Sequence, residues 1–304
     1  MVHVIDLHFL ETEESIAAFV IPDQKGYTLV ESGPFSTHET LLAGIEEHGI
    51  DPARVHTLLL SHIHLDHAGA AWWWARQGTQ VYVHPRGKKH MIDPSRLYES
   101  ARQIYGDRME ELWGQMEAID PERITAVEDK QEVTVGGQSW VAHHTPGHAS
   151  HHIAWQLGNV VFTGDVGGCR IAGGPVVPPC PPPDIDAEAW KSSIDRLRSL
   201  PAESFYLTHY GQITDTDRHL AELEQRLDRY VTWMEPYHRD GTAAETIAPL
   251  FKRYVTEELT DAGVGEDGLA SYLAANPPYM SVTGLLRWLR KRDERRSSIS
   301  KQEK

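Results

Sequence analysis

Short hydrophobic runs alternate with amphipathic stretches along the first two thirds of the chain. Alternating or β-branched runs predict early strands in five places: 2–9, 16–21, 27–31, 55–61 and 80–84. A stretch capped at Ser36/Thr37 and closed by Gly49 predicts a helix, and residues 68–77 predict a second one. Strands dominate again from Ile124 to Asp165, with a tight hairpin turn at 157–160. This alternation indicates an α/β fold.

Helical spacing marks two further regions. Residues 94–117 interrupt the strands and predict an inserted helical cap. After Thr214 we expect four helices, at about 215–239, 242–258, 266–275 and 280–292. The pattern therefore predicts a catalytic domain over 1–212, a helical C-terminal region over 213–292, and a charged, mobile tail over 293–304.

Composition narrows the possible partners and the location. The chain has 304 residues, of which 40% are hydrophobic, enough for a substantial core. It has no apolar run near the roughly 20 residues that span a bilayer, so we expect no membrane partner. The net charge of −15 disfavours nucleic acid. With only two cysteines and a first segment typical of a strand, we expect a cytoplasmic location and no disulfide framework.

Four metal-ligand side chains fall within six residues directly after the buried strand at 55–61. They are His62, His64, Asp66 and His67. The first three point the same way in an extended stretch, whereas His67 points elsewhere, which suits a second metal ion. Ligand sites of α/β proteins tend to lie at such strand ends.

Three more candidates stand at other predicted strand ends. His148 follows a Pro-Gly turn, Asp165 follows Gly164 after a hydrophobic strand, and His209 ends a late strand. Together the seven residues offer imidazoles and carboxylates, the donors of a dinuclear site in which one carboxylate bridges two cations.

The series H-x-H-x-D-H, T-P-G-H, G-D and a late strand-end histidine resembles the metallo-β-lactamase superfamily, over roughly residues 1–212. The resemblance implies a four-layer αββα sandwich with two divalent metal ions at its edge. It assigns His62, His64 and His148 to the first metal, and Asp66, His67 and His209 to the second, with Asp165 between them. Glu31 takes the place of an aspartate that usually supports the ligands.

The resemblance also implies chemistry. Zinc is the first expectation, and iron and manganese also suit the donors. A metal-bound hydroxide would attack the substrate, and Asp66 would orient it and carry a proton. The chain is thus expected to be an enzyme, a metal-dependent hydrolase of a small ester, thioester, lactone or related substrate, in the glyoxalase II-like branch.

Alternatives remain open. The first is a single-iron oxidoreductase of the persulfide dioxygenase kind, which would use one face of the same site. Gly168 stands where many related lactonases carry tyrosine, which makes a lactonase less favoured. The acidic charge disfavours ribonuclease Z chemistry. A purely binding role is disfavoured because all seven ligand positions are filled.

Three residues are candidate substrate contacts. His151 and His152 closely follow His148, and Trp72 opens a run of three tryptophans on a predicted helix. Since successive helical residues point about 100° apart, the three indoles cannot all face one core. We therefore expect one of them at a pocket wall or a subunit contact, which favours a possible homodimer.

Overall fold

Two six-stranded sheets form the centre of the protein. The computed structural model describes residues 1–302, with side chains through Ser298. The first sheet has the strand order β1 to β6: His3–Asp6, Ala17–Pro22, Tyr27–Val30, Val55–Leu59, Gln80–Val83 and Ile124–Ala126. Strands β1 to β3 are antiparallel, and β3 to β6 run parallel. The parallel part places the carboxyl ends of β3, β4 and β5 at one edge.

The second sheet has the reverse order, from β12 back to β7. In chain order its strands are β7 to β12: Glu132–Val135, Gln138–His144, Ile153–Leu157, Val160–Phe162, Ser204–Leu207 and Gly211–Ile213. The predicted hairpin turn joins β9 to β10, with Gly158 in the left-handed region at φ 58°. Only β10 and β11 pair in parallel, so their carboxyl ends also share an edge.

Eleven α-helices are present in residues 1–302. They are α1 to α11: His38–Glu47, Leu65–Ala68, Ala71–Arg76, Pro85–Ile92, Ser95–Tyr105, Met109–Trp113, Ala187–Ser199, Thr216–Arg239, Ala244–Asp261, Glu266–Ala275 and Pro278–Gln302. Helices α5 and α6 lie within residues 94–117, where an inserted helical cap is predicted. Helix α4 lies where the sequence pattern predicts no helix. Its start nevertheless carries ordinary helix signals, because Pro85 is its first residue and the His84 side chain accepts a hydrogen bond from the Arg86 amide.

Side chains alternate between three buried layers. Along β2, Phe19 and Ile21 pack between the two sheets, whereas Ala18 and Val20 pack against the helices outside the first sheet. The third layer lies outside the second sheet, against α7 to α11. Three cores separate four layers, so the predicted αββα sandwich is confirmed.

Some boundaries differ from the predictions. Strand β1 ends at Asp6, before a 3-10 turn in which Leu10 has φ 54°. The helix predicted at 68–77 is mainly α3, whereas Ala68 ends the separate helix α2, and Gly69 between them packs closely against other parts of the chain. A Cβ on Gly69 would lie 2.4 Å from the Leu65 carbonyl oxygen and 2.9 Å from Pro34 Cα.

The C-terminal helices pack directly on the second sheet. Leu220 and Leu223 of α8 share one core with Phe205 of β11 and Trp190 of α7. A division at residue 212 stays a prediction. The last helix, expected to end near 292, reaches Gln302, and the final two residues of the predicted tail lie outside the described residues. No helix within residues 1–302 is long and apolar enough to cross a bilayer.

Candidate metal centre

The first donors lie in a loop held between the two sheets. Leu60 and Ser61 follow strand β4 at the edge of the first sheet, and the second sheet forms a hydrogen bond with each of them. Ile153 donates its amide to the Ser61 carbonyl at 2.7 Å, and the Trp155 indole donates to the Leu60 carbonyl at 2.9 Å. The donor loop is therefore fixed where the sheets meet.

The remaining donors come from three loops of the second sheet. His148 lies between β8 and β9, Asp165 in a short turn after β10, and His209 between β11 and β12. All three are almost fully buried. The structure thus brings together residues that are separated by up to 147 positions, from His62 to His209, at one edge of the sandwich.

Three histidines form the first donor group. His64 Nδ1 lies 2.9 Å from His62 Nε2 and 3.0 Å from His148 Nε2. Ligand nitrogens around a tetrahedral zinc ion lie about 3.3 Å apart, given Zn–N distances of about 2.05 Å. The group therefore has the spacing of three ligands of one cation.

Two carboxylates and two histidines form the second group. His67 Nε2 and His209 Nε2 lie 3.0 and 3.3 Å from Asp165 Oδ1, and both lie 3.6 Å from Asp66 Oδ2. The other Asp165 oxygen, Oδ2, lies 3.3 Å from His148 Nε2 in the first group. One carboxylate therefore faces both groups, as a bridging ligand does.

Backbone carbonyls fix the histidine tautomers. His148 Nδ1 donates to the Pro179 carbonyl at 2.9 Å, and His209 Nδ1 donates to the Ser15 carbonyl at 2.6 Å. A carbonyl oxygen only accepts, so each Nδ1 carries a proton and Nε2 is the nitrogen left to bind a cation. Carbonyl partners leave no signal in the sequence, which is why neither was predicted.

Glu31 lies next to His67, on the side of the imidazole that faces away from the other donors. Its Oε1 lies 3.1 Å from His67 Nδ1, and its Oε2 accepts from the Ser61 amide at 3.3 Å. The first contact lacks hydrogen-bond alignment, since Oε1 has no hydrogen-bond partner among the described residues. The position of Glu31 is nevertheless the one that the sequence predicts.

The donor set fits cations. Among the described residues, His67 Nε2, Asp165 Oδ1 and His209 Nε2 are buried without a hydrogen-bond partner, although buried polar atoms are rarely left unpaired. All donor atoms within each group lie within 4.8 Å of one another. A cation in the second group would satisfy these three atoms, and the first group has the spacing to hold another.

Electrostatics divides the two groups. Burial and the neighbouring His148 lower the pKa of His64 to about 3, so the first group is neutral. In the second group burial opposes charge, but Asp165 raises the pKa of His209 to about 10, and His67 and His209 lower the pKa of Asp66 to about 2. The two carboxylates therefore stabilise positive charge where the second cation would lie.

Comparison with known proteins agrees with this geometry. The family model described as "Metallo-beta-lactamase superfamily" matches residues 12–209, about two thirds of the chain and all seven donors. This chain belongs to the metallo-beta-lactamase superfamily. Family members of known activity are usually hydrolytic metalloenzymes.

One superfamily protein is similar to nearly the whole chain in structure. The metallo-beta-lactamase fold-containing protein ST1585 from Sulfurisphaera tokodaii is 30% identical over 176 residues, which cover 55% of this chain and 65% of that protein. The match thus spans just under two thirds of this relative. The crystal structure of ST1585 superposes with a TM-score of 0.66 at 22% identity, covering 95% of this chain and 98% of that chain.

Other solved structures share the fold. TTHA1429 from Thermus thermophilus has a TM-score of 0.64 at 19% identity, covering 96% of this chain and 94% of that chain. A B3 metallo-beta-lactamase with an active-site glutamic acid has a TM-score of 0.54 at 18% identity, covering 75% of this chain and 85% of that chain. These similarities show that the fold is shared, and they do not assign a substrate to this chain.

A cavity of about 480 Å³ opens above the donors, and His64, Asp66, His148 and Asp165 form its floor. Its walls come from the loop after β1, from the inserted α5 and α6, from the proline-rich segment 179–183, and from α9 to α11. The helical insertion and the C-terminal helices therefore both shape the cavity.

The predicted substrate contacts do not line this cavity. Trp72 is buried against Phe35, with ring centroids 4.7 Å apart, and its indole donates to the Gln115 carbonyl. The prediction fails because the short helix α3 turns Trp72 into the core. Trp74 is also buried, and the half-buried Trp73 packs on His38, so neither reaches the cavity wall.

The two histidines beyond His148 lie behind the donors. His152 is fully buried and bonds Thr145 Oγ1 through Nδ1 at 2.9 Å, which ties the loop of His148 together. His151 stacks on His62 with ring centroids 6.1 Å apart. Both support the donor loops and are not among the residues that line the cavity.

Proposed function

We propose that this protein is a dinuclear metal-dependent hydrolase that acts on a small ester, thioester, lactone or related substrate. The observation that carries the proposal is the Asp165 carboxylate, whose two oxygens face two separate donor groups at 3.0 to 3.3 Å. The five imidazoles and two carboxylates suit zinc first, and also iron or manganese.

Two bound cations would lower the pKa of a shared water and polarise the bond to be cleaved. The chain holds the donors in place, because the Ser15 and Pro179 carbonyls fix the orientation of two imidazoles and Glu31 lies 3.1 Å from a third. This arrangement orients the reacting groups before the substrate arrives.

Asp66 is the residue we assign to proton transfer. Its side chain is 20% exposed and lines the cavity, whereas those of Asp165 and His209 are 4% and 1% exposed. Its pKa of about 2 keeps it ionised, so its oxygens can accept a hydrogen bond from the attacking water and orient it. The same carboxylate can then carry the proton of that water to the leaving group.

A single-iron oxidoreductase would need only one donor group. It would leave the other group of buried donors without a role. We therefore do not propose that function.

The test is metal analysis joined to a substrate screen. Purified protein should hold two divalent ions per chain and hydrolyse at least one ester, thioester or lactone. Asp165→Asn should lose one or both ions and all turnover, while His143→Ala, which removes a histidine that bonds Gln156 at 2.8 Å and belongs to neither donor group, should change neither. One iron per chain with thiol-dependent oxygen uptake would contradict the proposal, as would full turnover in Asp165→Asn.

A further inference from the structure

Exposed hydrophobic side chains gather at the mouth of the cavity. Among the described side chains, four large hydrophobic ones are exposed: Met1, Leu10, Ile104 and Tyr279. The last three, exposed by 39%, 41% and 42%, all line the cavity although they come from three separate segments. Single exposed hydrophobic residues are ordinary, but their collection around one opening indicates a surface for an apolar ligand.

The apolar surface continues inward along one wall. Phe9 stacks on Trp113 with centroids 5.4 Å apart, and Tyr105 meets the same indole edge-on at 5.1 Å. Leu97 and Leu112 extend this wall, and the proline-rich segment lies among the other lining residues. A cavity of about 480 Å³ with such walls has the size and character of sites that enclose small organic ligands.

The charged side chains that line the cavity, apart from the metal-ligand donors at its floor, are all positive. Apart from the donors, the charged lining residues within the described part of the chain are Arg108 and Lys252. Arg108 shares its guanidinium with Glu111 at 3.0 and 3.2 Å, whereas no ion pair or hydrogen bond of Lys252 occurs among the described residues. In a chain of net charge −15, a cavity lined by two cations favours an anionic ligand group.

We propose that the substrate is an acyl ester or thioester that joins a medium-length hydrocarbon acyl chain to an anionic leaving group. The inference rests on the proposed hydrolase function and deepens it. The acyl chain lies against the Phe9, Trp113 and Ile104 wall, the scissile carbonyl lies over the donors, and the anionic group faces Lys252 and Arg108. Water adds its oxygen to the acyl carbon, the bond to the leaving oxygen or sulfur breaks, and the leaving group takes the proton.

The first experiment is a chain-length series on the metal-loaded protein. Esters of 4-hydroxybenzoate with acetyl, butyryl, hexanoyl and octanoyl groups carry an anionic leaving group and differ only in the acyl chain. Burial of each methylene should raise kcat/KM about two- to fourfold. Ile104→Ser should flatten this dependence. Metal-dependent turnover with a flat or falling profile would overturn the substrate class and leave the hydrolase function standing.

The second experiment tests the charge. Octanoyl esters of 4-hydroxybenzoate and of neutral 4-nitrophenol are compared in Lys252→Glu and in the neighbouring Arg253→Glu, a residue outside the cavity. Lys252→Glu should lower the ratio of kcat/KM for the anionic ester to that for the neutral ester about tenfold. Arg253→Glu should leave the ratio unchanged. Equal ratios in both variants would overturn the assignment of the anionic group.

Binding separates a wrong substrate from a wrong function. If the substrate screen finds no ester, thioester or lactone that is hydrolysed, the hydrolase proposal fails, and calorimetry with octanoate and acetate still decides the inference about the cavity. Octanoate binding at least tenfold tighter than acetate, and reduced in Ile104→Ser, would support an acyl-chain site. Equal binding of the two carboxylates would overturn it.

Discussion

Replacing Glu31 by glutamine should selectively lower the affinity of the second donor group for its cation. Glu31 follows β3 directly with its side chain 1% exposed, and its Oε1 lies 3.1 Å from His67 Nδ1. The carboxylate favours a proton on Nδ1, so that Nε2, 3.0 Å from Asp165 Oδ1, is the nitrogen left to bind a cation. Glutamine keeps the shape of Glu31 and removes its charge.

The expected loss is about 10- to 100-fold in affinity for one cation, or roughly 1.4–2.7 kcal/mol. The lower end is the better expectation, because Ser61 Oγ lies 3.4 Å from the same nitrogen and remains a partner for it. Glu31→Asp should fall between wild type and Glu31→Gln. It keeps the charge but withdraws the carboxylate by one bond, about 1.5 Å, and it tolerates the backbone φ of 63° better than glutamate does.

The assay is zinc titration against a chromophoric chelator, which resolves two affinities per chain. In Glu31→Gln one affinity should fall, while the other should change little, because the partners of Glu31 are His67 and Ser61 and not the three histidines of the first group. Glu46→Gln, an exposed acid of α1, is the matched control. Unchanged affinities in Glu31→Gln, or equal loss at both sites, would refute the reasoning.

Three further outcomes are expected. Removal of metal by a chelator should lower the thermal midpoint by several degrees, because a cation at 100 times its Kd adds about 2.7 kcal/mol; an unchanged midpoint would argue against tight binding. Gly69→Ala should cost about 2 kcal/mol or more in urea unfolding, since the new Cβ meets the Leu65 carbonyl and Pro34 Cα. Trp155→Ala, in the core between the sheets, should cost about 3–5 kcal/mol, and a loss under about 1 kcal/mol would contradict its packing role.

Local sequence signals were sufficient to predict a structural element or a donor cluster where those signals were strong and close together in the chain. The cluster at 62–67 follows a buried strand, and the helix predicted at 266–275 begins and ends at those residues in the structure. The layered arrangement of helices and sheets followed from the family resemblance. The pairing of the donors across two sheets followed from the same resemblance, because spacing alone does not show which strand ends meet.

Features set by tertiary contacts escaped prediction. Gly69 packs closely on the backbone of Pro34, and Trp72 packs on Phe35, both contributed by the segment after β3. The Ser15 and Pro179 carbonyls that orient two histidines leave no mark on residue type. The cavity was missed for the same reason, since its walls come from four distant segments.

The placement of the donors at the junction of the sheets has a consequence for assembly. Residues 31–67 belong to the first sheet and residues 148–209 to the second, and the Ser61 and Leu60 carbonyls join them through Ile153 and Trp155. Neither half carries a complete ligand set, so a separated fragment would have no high-affinity site. If the two halves were produced as separate chains, tight binding of a cation would therefore show that they had associated. The protein could in this way serve as a split reporter whose signal is metal binding.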